Sequence, residues 1–393
     1  MKKALVLMGL LFLTLTGCGN NNGVTVDEDY NVVVEDGISE ETVPATQAAQ
    51  REDIRALNLS YRRTEFLMGG LIEITIFDVI CSEVEREELC DLMDEAFEMI
   101  FDMERRWTVN DEGGEVQKIN EMAGISPVEV ESDTFYLIER AIFYSVYSDS
   151  AFNAAIGPLT GLWNIAMPGT RRPDDGEIEE ILPLLDPSNV ILDAEAQTVF
   201  LTEVGMGLDL GGIAKGFMPD LVAELFLENG IDRALLIVGG EVIALGGRSD
   251  GTPFRIGVRN PFFDAEGESR EDEYLVGSLP IYSQAMVTSG TYNRYLAHQE
   301  TQTFYHHIFD SHTGFPFESD IVSISIIADT GLLGEVYTKI VFAMGVEVGL
   351  AYVENHPGLE VLMISQDGGI YISSGLQREF NFLLPDLFEI RTP

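Results

Sequence analysis

Five short stretches of this 393-residue chain carry residue types that packing alone does not ask for. "YHHIFDSHTGFP", Tyr305 to Pro316, gathers His306, His307, Asp310, His312 and Thr313 around a turn. Three of the chain's five histidines fall within seven residues there. A neutral imidazole beside a hydroxyl is a general-base arrangement, and such clustering favours a site over a structural histidine. "LDLGGIAKGF", Leu208 to Phe217, runs a strand into paired glycines and a helix start, where Lys215 and free backbone N–H groups suit a phosphate. An ordinary tight strand–helix turn gives the same pattern. "VGGEV", Val238 to Val242, sets a glycine pair between strands, which a bulge also explains. "VTSGTYNRY", Val287 to Tyr295, places small hydroxyl residues before aromatics. "GEVYTKIVFAMG", 334 to 345, holds Glu335, Thr338 and Lys339. After residue 3 the only lysines are Lys118, Lys215 and Lys339, and Lys339 interrupts an apolar helical run.

These stretches need a scaffold, and the rest of the pattern supplies one. In "LIEITIF" the alternation of Ile72, Ile74 and Ile76 with Glu73 and Thr75 predicts a half-buried strand. Ser82 and Glu85 form a capping box. Leu89, Leu92, Met93, Ala96, Phe97, Ile100 and Phe101 then mark one face of a long helix. A second helix is expected from about Asp133 to Ser148, with Leu137, Ile138, Ala141, Ile142 and Val146 inward. A third follows "LDLGG" and ends at Gly230, which suits a left-handed cap. "ALLIV", "EVIAL", "FRIGV" and "IVSISIIA" read as strands, and "LEVLMIS-QDGG-IYISSG" as a hairpin. Antiparallel strands with helices between groups of them give an α+β class.

Composition narrows the function. Lys and Arg total 23 against 66 Asp and Glu, a formal charge of −43. A surface this negative repels a phosphate backbone and anionic lipid, so nucleic acid is excluded as a partner. Residues 1–17 form a signal peptide: Lys2 and Lys3 precede an apolar run and small residues before Cys18. "LTGC", Leu15 to Cys18, resembles a bacterial lipobox, which implies a diacylglycerol on Cys18 and a place on the extracytoplasmic face of the cell membrane. Residues 18–58 read as an acidic tether, with a reach of roughly 35 Å for about 40 flexible residues. The folded domain spans 59–393. Outside the cytoplasm, Cys81 and Cys90 are allowed a disulfide, and two buried thiols fit equally well.

In order along the chain, "FLMGG", "WTVN…GEVQKIN", "SAFNAAIGPLTGLW", "LDLGGIAKG", "VGGEV", "VTSGTYNRY" and "HIFDSHTGFP" resemble the ApbE family, the FAD:protein FMN transferases. The resemblance covers about 63–345. It implies a T-fold-like, two-lobed body with antiparallel sheets and a cleft for FAD between the lobes. A magnesium ion on the pyrophosphate makes AMP a better leaving group. The implied acceptor is a threonine hydroxyl on a partner protein, typically a subunit of a membrane redox pump; some relatives use water and release FMN and AMP. Met68, Asn110, Ala151, Phe152, Asn153, Gly211, Lys215, Phe217 and Ile308 fall where the family contacts FAD. His307, with Asp310 beside it, aligns with the histidine that activates the acceptor, and Ala214 with a carbonyl ligand of the metal.

The chain departs from the family pattern near its C-terminus. Counting back from Gly345 puts Glu335 at the family's metal-binding aspartate and Lys339 at its threonine. Asn153 replaces an aspartate, Gly114 a serine and Ser311 a proline. A protonated lysine repels magnesium, but an ammonium there can pair with Glu335 and stand in for the ion. A one-residue slip would make Thr338 the ligand instead, and a lysine snorkelling along its helix is the third reading. The expected function is FMN transfer from FAD. The alternatives are a non-catalytic FAD-binding lipoprotein and an FAD hydrolase.

Overall fold

The computed structural model describes residues 60–67, 69–77, 83–109, 113–263, 269–292, 294–298 and 303–392, and the short antiparallel strands Val24–Val26 and Val32–Val34. The two short strands fall inside the segment read as a tether. Cys18, Met68, Cys81, Ser82 and Asn110 lie outside the described residues.

Nine strands form the main sheet among the described residues, and they lie across it in chain order. Ser60–Leu67 is at one edge, followed by Gly70–Phe77, Ala234–Val238, Glu241–Leu245, Ala285–Gly290, Ile321–Ala328, Glu360–Ser365, Gly369–Ile372 and Glu389–Ile390. Every neighbouring pair is antiparallel except the last. The function-bearing stretches occupy the insertions and turns between these strands and the strand ends that border them.

The central strands are apolar on both sides because both faces of the sheet are covered. Ile243, Leu245, Ala285, Ile324, Ile326, Val361 and Met363 face a large core shared with the helices. Their neighbours Ala244, Met286, Ile327, Leu362 and Ile364 face a second core. That core is closed by the three-stranded sheet of Phe254–Arg259, Leu275–Ile281 and Asn381–Phe382. The α+β expectation with antiparallel sheets is met.

The helices match the expected positions: Glu83–Trp107, Ser132–Tyr147 and Ala214–Glu228. Two inward assignments are corrected. Phe101 is 57 % exposed and Val146 60 % exposed, because each sits at the margin of its apolar stripe, where the helix turns away from the core. Cys90 is buried with its Sγ 3.5 Å from the Tyr61 hydroxyl.

The helix Gly331–Glu354 packs on the sheet and on Ala214–Glu228. Asp220 of the neighbouring helix accepts the backbone N–H groups of Gly331 and Leu332 at 2.7 and 2.8 Å, and Thr330 accepts that of Leu333 at 3.2 Å. These bonds satisfy three of the donors that a helix start leaves orphaned. Gly345 interrupts the helix with φ 73° and ψ −179°, a conformation that a side chain makes costly. Asp320 caps the restart, accepting Val346 N at 3.0 Å.

Candidate active site

The loop before Ala214–Glu228 is held by buried apolar anchors and by one amide. Leu208, Leu210 and Ile213 are fully buried. Asn120 grips Leu208 at both backbone atoms: its amide donates to the carbonyl at 2.9 Å, and its oxygen accepts the N–H at 2.7 Å. Asp209 accepts Gly211 N at 2.9 Å and the Thr160 hydroxyl at 2.8 Å. A side chain on Gly212 would come 3.3 Å from the Phe152 ring and 3.7 Å from Lys339 Cε. The paired glycines thus bring the loop against Phe152 and Lys339.

Three elements deliver charge to this loop. Lys215 comes from the first turn of its helix. Glu335 and Lys339 lie one turn apart on the long helix. Glu241 follows the two-residue turn Gly239-Gly240, whose φ values of 60° and 105° make the tight hairpin that joins two sheet strands. Lys215 Nζ donates to Glu241 and, at 2.9 Å, to Glu335; Lys339 Nζ donates to the second oxygen of Glu335. Glu335 is 0 % and Glu241 2 % exposed, so their charges survive only by pairing.

Burial pushes the Glu335 carboxyl up, but Lys215 and Lys339 outweigh it and hold the group below the usual carboxylate range. Glu241 behaves oppositely. Burial, joined by the charge of Glu335, overcomes Lys215 and pushes it up to about 7. Its Oε2 is a buried oxygen without a hydrogen-bond partner among the described residues. Glu241 escaped the sequence reading, although a signal was there: it is the one acid in an otherwise wholly apolar, wholly buried strand.

The histidine turn closes the site. Phe309–Asp310 pairs with Phe315–Pro316, and the Trp163 indole donates to the Gly314 carbonyl at 2.9 Å. The Ser311 hydroxyl donates to the Ser150 carbonyl at 3.1 Å, and His312 Nε2 to the Asp149 carbonyl at 2.8 Å. These bonds tie the turn to the Ala151–Asn153 stretch. Asp149 and Ser150 both have positive φ, 50° and 63°, strained for non-glycine residues.

His307 Nδ1 lies 3.2 Å from the Arg294 carbonyl. A carbonyl only accepts, so Nδ1 carries the proton and Nε2 keeps the lone pair. Burial pushes its pKa down to about 4; the charges of Arg294, Lys339 and His306 push the same way. His306 has both nitrogens engaged with backbone, Nε2 with the Phe317 carbonyl at 3.1 Å and Nδ1 with Ile308 N at 3.2 Å.

Other expected residues take packing and turn roles. The Asp310 carboxylate accepts His312 N at 2.9 Å and the Thr313 hydroxyl at 3.0 Å, so it shapes the turn. Asn153 accepts Ala155 N and donates to the Leu185 carbonyl, both at 2.8 Å. Phe217 is buried between Trp107 and Tyr136, with ring centroids 5.7 and 5.5 Å away. Ile308 and Ala214 are buried.

The hard-oxygen set expected for magnesium is not assembled. Glu335 has an ammonium on each oxygen. Thr338 is fully buried, donates to the Glu335 carbonyl at 2.7 Å and accepts from Ser289 at 3.1 Å. This answers the slip: the Thr338 hydroxyl is tied into its helix and to "VTSGTYNRY". Among the described residues no three acidic, histidine or cysteine side chains group as metal ligands. A divalent cation does not fit this arrangement.

Comparison with known proteins agrees with the motif order. The chain is 37 % identical over 324 residues to an FAD:protein FMN transferase of Klebsiella pneumoniae, covering 82 % of this chain and 95 % of that protein. It is 30 % identical over 335 residues to the FAD:protein FMN transferase of Treponema pallidum, covering 82 % and 89 %. The crystal structure of the ApbE protein of Thermotoga maritima superposes with a TM-score of 0.70 at 27 % identity, covering 81 % of this chain and 98 % of that one. Residues 68–363 match the ApbE family as a whole, and the chain belongs to that family.

Proposed function

We propose that this chain transfers FMN from FAD to a threonine hydroxyl of an acceptor protein. One observation carries the reading: a neutral histidine with its Nε2 lone pair available shares a site with a lysine-bearing glycine loop. Lys339 makes the join, since its stem lies against Gly212 and its charge is felt at His307. In the reaction the hydroxyl oxygen bonds to the phosphorus on the FMN side. The P–O bond to AMP breaks, AMP leaves with the bridging oxygen, and the hydroxyl proton passes to His307. The named relatives act as FAD:protein FMN transferases, which supports the same reaction here.

The finer assignments rest on the sequence. A lipobox before Cys18 supports a lipid-anchored protein on the extracytoplasmic face of the membrane. A subunit of a membrane redox pump is the acceptor class we favour. Co-expression with such a subunit tests the reading. A fluorescent flavin band that survives denaturing electrophoresis, together with AMP release from FAD, is expected. Cys18→Ala should shift the chain from the detergent phase to the aqueous phase. FAD binding without AMP release or labelled acceptor would leave a non-catalytic flavin-binding protein; FMN and AMP without a labelled acceptor would leave a hydrolase.

A further inference from the structure

We propose that Lys215 and Lys339 are the cations of this active site. Anchored on two buried carboxylates, their ammonium groups hold the diphosphate of FAD, and FMN transfer proceeds without a divalent metal. The proposal rests on FAD being the substrate.

Four observations converge on it. First, two of the three lysines after residue 3 meet in one cluster, in a chain with 66 acidic residues. Second, the layering is directional. The side chains of Glu241 and Glu335 are 3 % and 0 % exposed, whereas those of Lys215 and Lys339 are 33 % and 18 % exposed. The carboxylates form the floor and the ammonium groups the accessible layer. Third, the stem of Lys339 lies against Gly212, which places its charge at the loop that opens the Lys215 helix. Fourth, the residues that would ligate a metal are committed elsewhere: Glu335 to both lysines and Thr338 to the Glu335 carbonyl and Ser289.

A lysine ammonium is a compact point charge with three donors, suited to phosphate oxygens. Two of them carry the same formal charge as one magnesium ion. As the P–O bond to AMP breaks, negative charge grows on the departing oxygen, and fixed ammonium groups facing it stabilise the transition state without reorganisation. Glu241 is a positioning residue here, since it fixes Lys215 from below.

The test uses the purified full chain, with FAD affinity from flavin fluorescence and AMP release in the presence of a purified acceptor subunit, each in EDTA and in millimolar magnesium chloride. In the wild type both quantities should change less than about twofold between the two conditions. Magnesium alone should give no binding heat in calorimetry. Lys339→Thr should weaken FAD binding at least tenfold in EDTA, with part of the loss restored by magnesium. Glu241→Gln should weaken FAD binding several-fold in both conditions alike. A wild type that loses tenfold or more in FAD affinity on adding EDTA overturns the proposal and leaves FAD as the substrate. Metal-independent FAD binding with no AMP released to the acceptor in either condition overturns metal-free transfer, and the transfer reading with it. Absence of FAD binding in both conditions overturns both.

Discussion

His307→Ala should lower FMN transfer by ~10²-fold or more while FAD affinity stays within about twofold of wild type. A general base acts as the hydroxyl loses its proton, so its removal is felt in the transition state and hardly in ground-state binding. The choice among the three clustered histidines follows from their bonds. His306 has both nitrogens held by backbone, and His312 is tied to Asp149. His307 pairs a donating Nδ1 with a lone pair on Nε2, and it lies within the field of Lys339 at the charged loop. The pH profile gives an independent check. A base must be neutral, and burial holds His307 down to about 4. The wild-type rate should therefore be level above about pH 5 as far as this group is concerned, and fall as pH drops through 4. An acid limb near the ordinary histidine value of ~6.5, or unchanged turnover in the mutant, would move the base to another residue.

The sequence made the scaffold readable where its signals were local. Ile72, Ile74 and Ile76 alternate and face the core, and the strands "EVIAL" and "IVSISIIA" lie where their apolar runs put them. The margins of helical stripes were less legible. Phe101 and Val146 fit the period but sit at the edge of the packed face, a property of the neighbouring elements. The site was legible as a set of stretches, not as a set of contacts. Lys339 was conspicuous because an ammonium in an apolar helix needs an anion, and Glu335 one turn away was the local candidate. Lys215 and Glu241 are 120 and 94 positions from Glu335, and only the sheet order brings them to it. Asp310 and Asn153 illustrate the converse. Both have residue types suited to a ligand, and both spend their polar atoms on nearby backbone and side-chain groups, as short polar side chains at turns commonly do.

Gly216→Ala should cost about 3 kcal/mol or more, near or above the upper end of typical overpacking losses, and should weaken FAD binding at least tenfold. Gly216 lies in the first turn of its helix, where that helix crosses the start of Gly331–Glu354. A methyl there would overlap the Gly331 carbonyl and come 2.9 Å from Glu335 Cγ. A methyl on Gly331 would in turn meet Gly216, with its Cα and carbonyl carbon both 3.0 Å away. Backbone faces backbone, so no rotamer relieves the clash, and the two helices must separate. Lys215 precedes Gly216 directly, and Glu335 is one turn beyond Gly331. Separation at this crossing therefore stretches the ion pairs that hold the charge cluster, and stability and ligand affinity should fall together. Gly161→Ala is the control: a methyl there meets nothing within 4 Å, in the exposed face of a short helix. That change should be neutral or stabilising by up to about 1 kcal/mol. Denaturant unfolding and FAD titration of the two variants decide the matter. A Gly216→Ala protein that unfolds at the wild-type midpoint would show that the crossing is loose enough to admit a side chain, and the close approach would then lose its role in setting the site.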